Sequence, residues 1–340
     1  MMPMIPNFAG MRSWICLTLV IHMLTSCEPE EPLYPAPKQI QGLQTLMLDL
    51  GEDRNRDIWV NLGGVKTEAT DGSLWDLGFS CVSGRWDMII NNGNDAWLYR
   101  GDTGNINRTF KIPTSGWRYD HPSGDPDSSA IGSWSPDGNN SYGYCYILDR
   151  GINQPAAQRY IKFKLGRVEN GDYVLSYGRL DDSVTKLVRV GRIPGKNYAY
   201  FSFLLGDTLQ AEPLNQDAWD LVFRKYKTNI IETGTGIPYD YVAVGCLLNP
   251  YNTQSAEVPA NTPFESVNLS LAQSLQLSDR RDAIGYDWKL FDRLSGKYSV
   301  NYKRIYVIRT AGNQWFKLRF TDYYNDLGQR GYPKFEFERL

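Results

Sequence analysis

The side chains that carry most metal and acid–base chemistry are scarce in this chain. Its 340 residues include two histidines, His22 and His121. That count excludes a His-rich metal centre. His121 precedes Pro122 in a polar stretch, and it is the imidazole best suited to a metal or general-base role. Asp181-Asp182 and Asp125-Pro126-Asp127 have the composition of a glycosidase carboxylate pair, but nothing in the sequence fixes the separation that mechanism needs. Asp125-Pro126-Asp127 and Asp137-Gly138-Asn139 offer oxygens to calcium without the spacing of an EF-hand loop. No phosphate-binding Gly-x-x-x-x-Gly-Lys-Ser/Thr loop and no Gly-x-Ser-x-Gly elbow occur. Thr233-Gly234-Thr235-Gly236 has no helical pattern after it and reads as a turn. Aromatic side chains are abundant instead: 10 Trp, 22 Tyr and 13 Phe. The net charge of −2 argues against nucleic acid, whose binding needs a basic face. Binding without catalysis is the expectation.

The start of the chain reads as an address. Arg12 precedes a mostly apolar stretch, Ile15 to Leu24, too short to span a bilayer as a helix. It ends in Leu24-Thr25-Ser26-Cys27, which resembles a bacterial lipobox. The resemblance implies a signal peptide over 1–26, cleavage before Cys27, and acylation of that residue with chains such as palmitate. Residues 27–43 follow as an acidic, proline-rich tether. Its Glu28-Pro29-Glu30-Glu31-Pro32 run resembles the surface-export signal of some Gram-negative lipoproteins. The expected location is the outer membrane, lipid-anchored and exposed at the cell surface. Cys81, Cys145 and Cys246 are then an odd set with no Cys-x-x-Cys, which leaves no structural zinc site. A Cys81–Cys145 bridge is open to them, with buried free thiols the expectation.

The body of the chain repeats itself. Leu74-Trp75-Asp76-Leu77-Gly78-Phe79 recurs as Ala218-Trp219-Asp220-Leu221-Val222-Phe223, and Tyr160-Ile161-Lys162-Phe163-Lys164-Leu165 as Trp315-Phe316-Lys317-Leu318-Arg319-Phe320. Gly171 to Tyr177 matches Gly331 to Phe337 in the same order. This predicts a mostly β protein of two tandem antiparallel domains, 44–183 and 186–340. Period-two alternation makes the blocks strands and places Lys162, Lys164, Lys317 and Arg319 on a solvated face. Asn170-Gly171 and Gly312-Asn313 are the hairpin turns. Trp75 and Trp219 should begin inner strands with buried indoles, and Asp76 and Asp220 should accept structural hydrogen bonds. Residues 264–279 have the spacing of one short helix. The irregular stretch 101–143 carries Trp117, Tyr119, Trp134 and Tyr142, aromatics that a disordered loop would lack.

The second copy resembles the HmuY family of secreted or surface-lipidated haem-binding proteins of Gram-negative bacteria. The likeness rests on Ala218 to Phe223, Thr228-Asn229, Thr233-Gly234, Arg304 to Thr310, Phe316 to Tyr324, and Gly328 with Gly331 to Phe337. The first copy matches more weakly. The resemblance implies a β-rich domain that captures haem for iron acquisition without catalysis and delivers it to a TonB-dependent outer-membrane receptor. Family members hold iron with His or Met side chains, yet residues 186–340 contain neither. The ligand candidates this leaves are His121 with Met88 in the first copy, and Tyr239, Tyr241, Tyr251 or Cys246 in the second. An alternative reading keeps the fold as a haem-independent module for a small ligand, a glycan or a protein, contacted through Trp117, Tyr119 and Trp134.

Overall fold

A computed structural model describes residues 42–231 and 236–340. The expected signal peptide, Cys27 and the Thr233-Gly234-Thr235 turn lie outside the described residues. Strands come first as β1 (Gln44–Met47), β2 (Arg56–Asn61), β3 (Lys66–Asp71), β4 (Leu77–Ser80) and β5 (Met88–Ile90). Then follow β6 (Trp97–Thr103), β7 (Trp117–Arg118), β8 (Tyr144–Asp149), β9 (Tyr160–Leu165) and β10 (Tyr173–Arg179). The series resumes with β11 (Lys186–Val190), β12 (Tyr198–Ser202), β13 (Asp207–Leu209), β14 (Leu221–Ile231) and β15 (Pro238–Leu248). It closes with β16 (Gln254–Glu257), β17 (Lys289–Asp292), β18 (Lys297–Val300), β19 (Ile305–Arg309), β20 (Trp315–Tyr324) and β21 (Arg330–Arg339). All the named strand pairings are antiparallel, and the fold is mostly β as expected. The segment expected as one helix over 264–279 is a 3₁₀ turn at Phe264–Ser266 and a short α-helix, Leu269–Ser274. Asn268 caps that helix through the Leu271 amide, and the helix ends where Leu275 turns extended.

The sheets cross the boundary expected near residue 185. One lobe is continuous in sequence. Its sheets run β13-β12-β4-β5 and β11-β10-β9-β8-β6-β7, and its core runs from Leu77 to Phe203. The other lobe is discontinuous. Its sheets run β3-β2-β14-β15 and β1-β21-β20-β19-β16, and its core joins Leu48–Leu62 to residues from Leu221 to Phe337. Two domains in series are therefore replaced by an exchange. Strands β1 to β3 of the first half complete the lobe of the second, and β11 to β13 of the second complete the lobe of the first. Sequence alternation states which face of a strand is buried but not which strand lies beside it, so the exchange is invisible in the sequence.

The Trp-Asp motifs lock this exchange. Asp76 accepts from the Phe203 amide at 2.7 Å, and Asp220 accepts from the Leu62 amide at 2.8 Å, each reaching the residue that follows a strand of the opposite half. The Asp76 amide donates to Phe201 and the Asp220 amide to Val60. Asn91 and Asn249 repeat the pattern: each Nδ2 donates to the carbonyl of the Trp before the Asp and to a second carbonyl, at Gly72 or Gln216. Trp75 packs edge-on against Tyr200, and Trp219 against Trp59.

Two expectations about charge are overturned. Lys162 and Lys317 are buried rather than solvated. The Lys162 ammonium donates to the Arg108 and Asp182 carbonyls and lies over Phe110. The Lys317 ammonium donates to the Phe264 and Val267 carbonyls and lies over Phe264. Each lysine ties an irregular excursion of the chain to the sheet beneath it, so the carbonyls substitute for water. Lys164 and Arg319 stay partly exposed. Cys81, Cys145 and Cys246 are free thiols, the last two buried and Cys81 partly so.

Candidate functional site

The ends of β14 and β15 form a two-stranded ribbon. β14 pairs with β2 only over Leu221–Phe223, while its pairing with β15 continues to Ile231 and Pro238. A lone ribbon is marginal in water, so its stability must come from its two flanks. On one side stands the β17–β18 hairpin with Tyr286 and Trp288. On the other stands the continuous lobe. There the Tyr119 hydroxyl donates to Asp240 at 2.7 Å, and Lys227 pairs with Asp95 while lying 3.7 Å from the Trp97 ring centre.

Between the ribbon and the β17–β18 hairpin lies an open groove of about 370 Å³, lined by Ile231, Tyr239, Tyr241, Val244, Tyr286, Lys289, Leu290, Phe291 and Tyr298 among others. That volume falls within the range of ordinary small-molecule sites. Alternation along β15 puts Tyr239 and Tyr241 on one face and Asp240 on the other. The Tyr119–Asp240 bond thus holds the ribbon from behind the face that carries the two tyrosines. Their rings sit 6.3 Å apart, edge to face. The Tyr298 hydroxyl hydrogen-bonds to Tyr241. Burial first, and then that bond, push its pKa upward. Ile231, Leu290 and Phe291 are largely exposed around the groove, at 70%, 62% and 48%. Apolar walls with phenolic oxygens fit a haem group: the walls suit the macrocycle, and tyrosine oxygen is an established iron ligand type.

The expected His121–Met88 pair is placed differently. Both residues line one cavity between the lobes, of about 60 Å³. That is room for water and far too little for a macrocycle. Met88 is 2% exposed and belongs to the core of the continuous lobe. His121 Nδ1 accepts from the Ser123 amide at 3.2 Å and sits 3.0 Å from its hydroxyl, so the ring braces a turn. Asp120 beside it accepts from the Ile90 and Ala130 amides, and burial raises its pKa to about 6. Tyr251 is tied to Tyr198 and Asp87. Cys246 is fully buried in the core of the discontinuous lobe, out of reach of a bound ligand.

The aromatics of the long loop turn inward. Trp134 is in the core, its indole donating to the Trp86 carbonyl at 2.7 Å. Trp117 is half-buried and donates to the Pro113 carbonyl. Tyr119 binds the ribbon. The sequence reading named Tyr239 and Tyr241 and missed Lys289, which follows the buried Trp288 and gives no signal of its own in the sequence.

Residues 195–337 match the family model described as HmuY protein. No curated protein matches the chain by sequence. Among solved structures, apo PinO from Porphyromonas gingivitis shares 9% identity over 88% of this chain and 98% of its own, with a TM-score of 0.29. The apo HmuY analogue of Tannerella forsythia shares 12% over 89% and 97%, with a TM-score of 0.26. A Bacteroides vulgatus protein named as HmuY-like and haem-binding shares 9% over 88% and 96%, with a TM-score of 0.23. Superpositions this loose leave the architecture to be argued from the chain's own strands. The match to the HmuY family model over residues 195–337 spans the ribbon, the β17–β18 hairpin and the whole groove between them.

Proposed function

We propose that the chain is a haem-binding surface lipoprotein whose site is the groove between the β14–β15 ribbon and the β17–β18 hairpin. The observation that carries this is the position of the groove. The 370 Å³ space lies wholly inside the family-matched residues. Tyr239 and Tyr241 offer the oxygen ligands, and Ile231, Leu290 and Phe291 supply apolar contact. Haem brings the iron; the chain binds, orients and shields it, and catalyses nothing. Cys27 carries the lipid, residues 1–26 are removed, and the 27–43 tether holds the protein at the outer face of the outer membrane. A TonB-dependent receptor is the partner that would accept the cargo.

A haem titration of the purified chain, followed by visible absorption in both iron states, tests this. The expected result is a Soret band saturating at one equivalent and unaltered in His121→Ala. In the Tyr239→Phe, Tyr241→Phe double variant the affinity should fall about tenfold or more, the scale of one lost contact of about 1.4 kcal/mol. A non-saturating response, or loss of the band in His121→Ala alone, would overturn the assignment.

A further inference from the structure

Three charged residues line the groove, Asp287, Lys289 and Arg293, and of these Lys289 is the buried one. Lys289 opens β17 and is 6% exposed. Its ammonium donates to the Val244 carbonyl and, at 3.3 Å, to the Tyr286 carbonyl. The same nitrogen lies 4.4 Å from the Trp288 ring centre and 4.9 Å from that of Tyr323. An ammonium has three N–H donors and no acceptor, so among the described residues one donor lacks an oxygen. No ion pair among those residues includes Lys289; Asp287 acts on it only through space. A buried cation without an anion carries a desolvation cost that a carboxylate would offset. Burial already draws its pKa down to about 7.

We propose that Lys289 is a carboxylate anchor, and that the groove selects planar aromatic ligands bearing a carboxylate. The aromatic side chains give the ligand faces to stack on, and Lys289 lines the same space. The carboxylate takes the third N–H and neutralises the ammonium in a site of low dielectric, where a charge-assisted bond is strong. The proposal rests on the haem reading only in that haem, with its propionates, is one member of this class.

The test uses the full chain and two ester pairs: protoporphyrin IX against its dimethyl ester, and pyrenebutyrate against its methyl ester, each followed by fluorescence. The wild type should bind each acid about tenfold or more tighter than its ester, the scale of one charge-assisted hydrogen bond. Lys289→Met should erase the preference by weakening the acids while leaving the esters unchanged. Lys289→Gln should behave alike, and near-ultraviolet circular dichroism checks that both variants are folded. A preference that survives in both variants, or none in the wild type, overturns the anchor. Loss of both porphyrins with the pyrenebutyrate preference intact would sink the haem reading and leave the anchor standing.

Discussion

The two lobes share a frame, and the hairpin that follows the Trp-Asp motif differs sharply between them. In the continuous lobe the hairpin after the Trp-Asp motif is short: β4 has 4 residues and β5 has 3. Its counterpart in the discontinuous lobe, β14–β15, has 11 residues in each strand. The extra length is the ribbon that carries Tyr239 and Tyr241. Everything that recurs between the lobes is structural: the buried indoles, the Asp that caps the opposite half, the Asn that holds two carbonyls, the lysine under each excursion. The groove has no such repeat. In a chain with two equivalent frames, the features that repeat hold the frame together, and the elaboration found once is the place to seek function.

The comparison breaks most visibly at the two Trp-Asp positions, which are equivalent in place and unlike in charge. Asp76 is paired with the buried Arg150 at 2.6 Å, and both side chains are 4% exposed. Asp220 accepts from the Leu62 amide and, among the described residues, pairs with no cation. Asp76→Asn should therefore cost about 3–5 kcal/mol, the price of stranding a buried guanidinium. Asp220→Asn keeps an acceptor for Leu62 and removes a charge. Burial raises the Asp220 pKa from 3.8 to about 6. A carboxyl raised in the folded state gives stability that is full below pH 3.8 and is lost as pH rises through 6. At about 1.36 kcal/mol per unit, Asp220→Asn should match the wild type at pH 3.8 and exceed it by on the order of 2–3 kcal/mol at pH 7.5. Urea unfolding at the two pH values checks both variants. Destabilisation of equal size at both positions would show that the lobes use the motif identically.

A smaller effect sharpens the comparison at the ribbon. Tyr119→Phe removes the hydroxyl bond to Asp240 and should cost about 0.5–1.5 kcal/mol. The loss should be local. Hydrogen exchange at the amides of residues 226–230 and 239–243 should accelerate, while the β19–β21 amides keep their protection. Unchanged exchange in the ribbon would mean that the continuous lobe does not brace it.

Much of the frame was legible in the sequence, because the repeated Trp-Asp blocks and alternating strands report burial directly. Trp75 and Trp219 are buried, and Asp76 and Asp220 accept backbone bonds. The Asn170-Gly171 turn forms with Asn170 at φ 53 and Gly171 at φ 87, a pair of positive angles that a two-residue hairpin loop requires. Lys162 and Lys317 were misread, since alternation cannot foresee that a distant loop will lay its carbonyls over a strand. Trp134 lies in a stretch with no period to report burial, and its place in the core is seen only in the packing. At the site, Tyr239 and Tyr241 emerged by elimination among ligand types, whereas His121 and Met88 drew attention by chemistry alone. Only the packing shows that their cavity is too small and that Lys289 is buried without an anion.

The most direct test is a crystal structure of the chain with haem bound. The account predicts haem between the β14–β15 ribbon and the β17–β18 hairpin, with a Tyr239 or Tyr241 oxygen on the iron and a propionate at Lys289. Haem bound at the His121 cavity, or on any surface outside the groove, would contradict it.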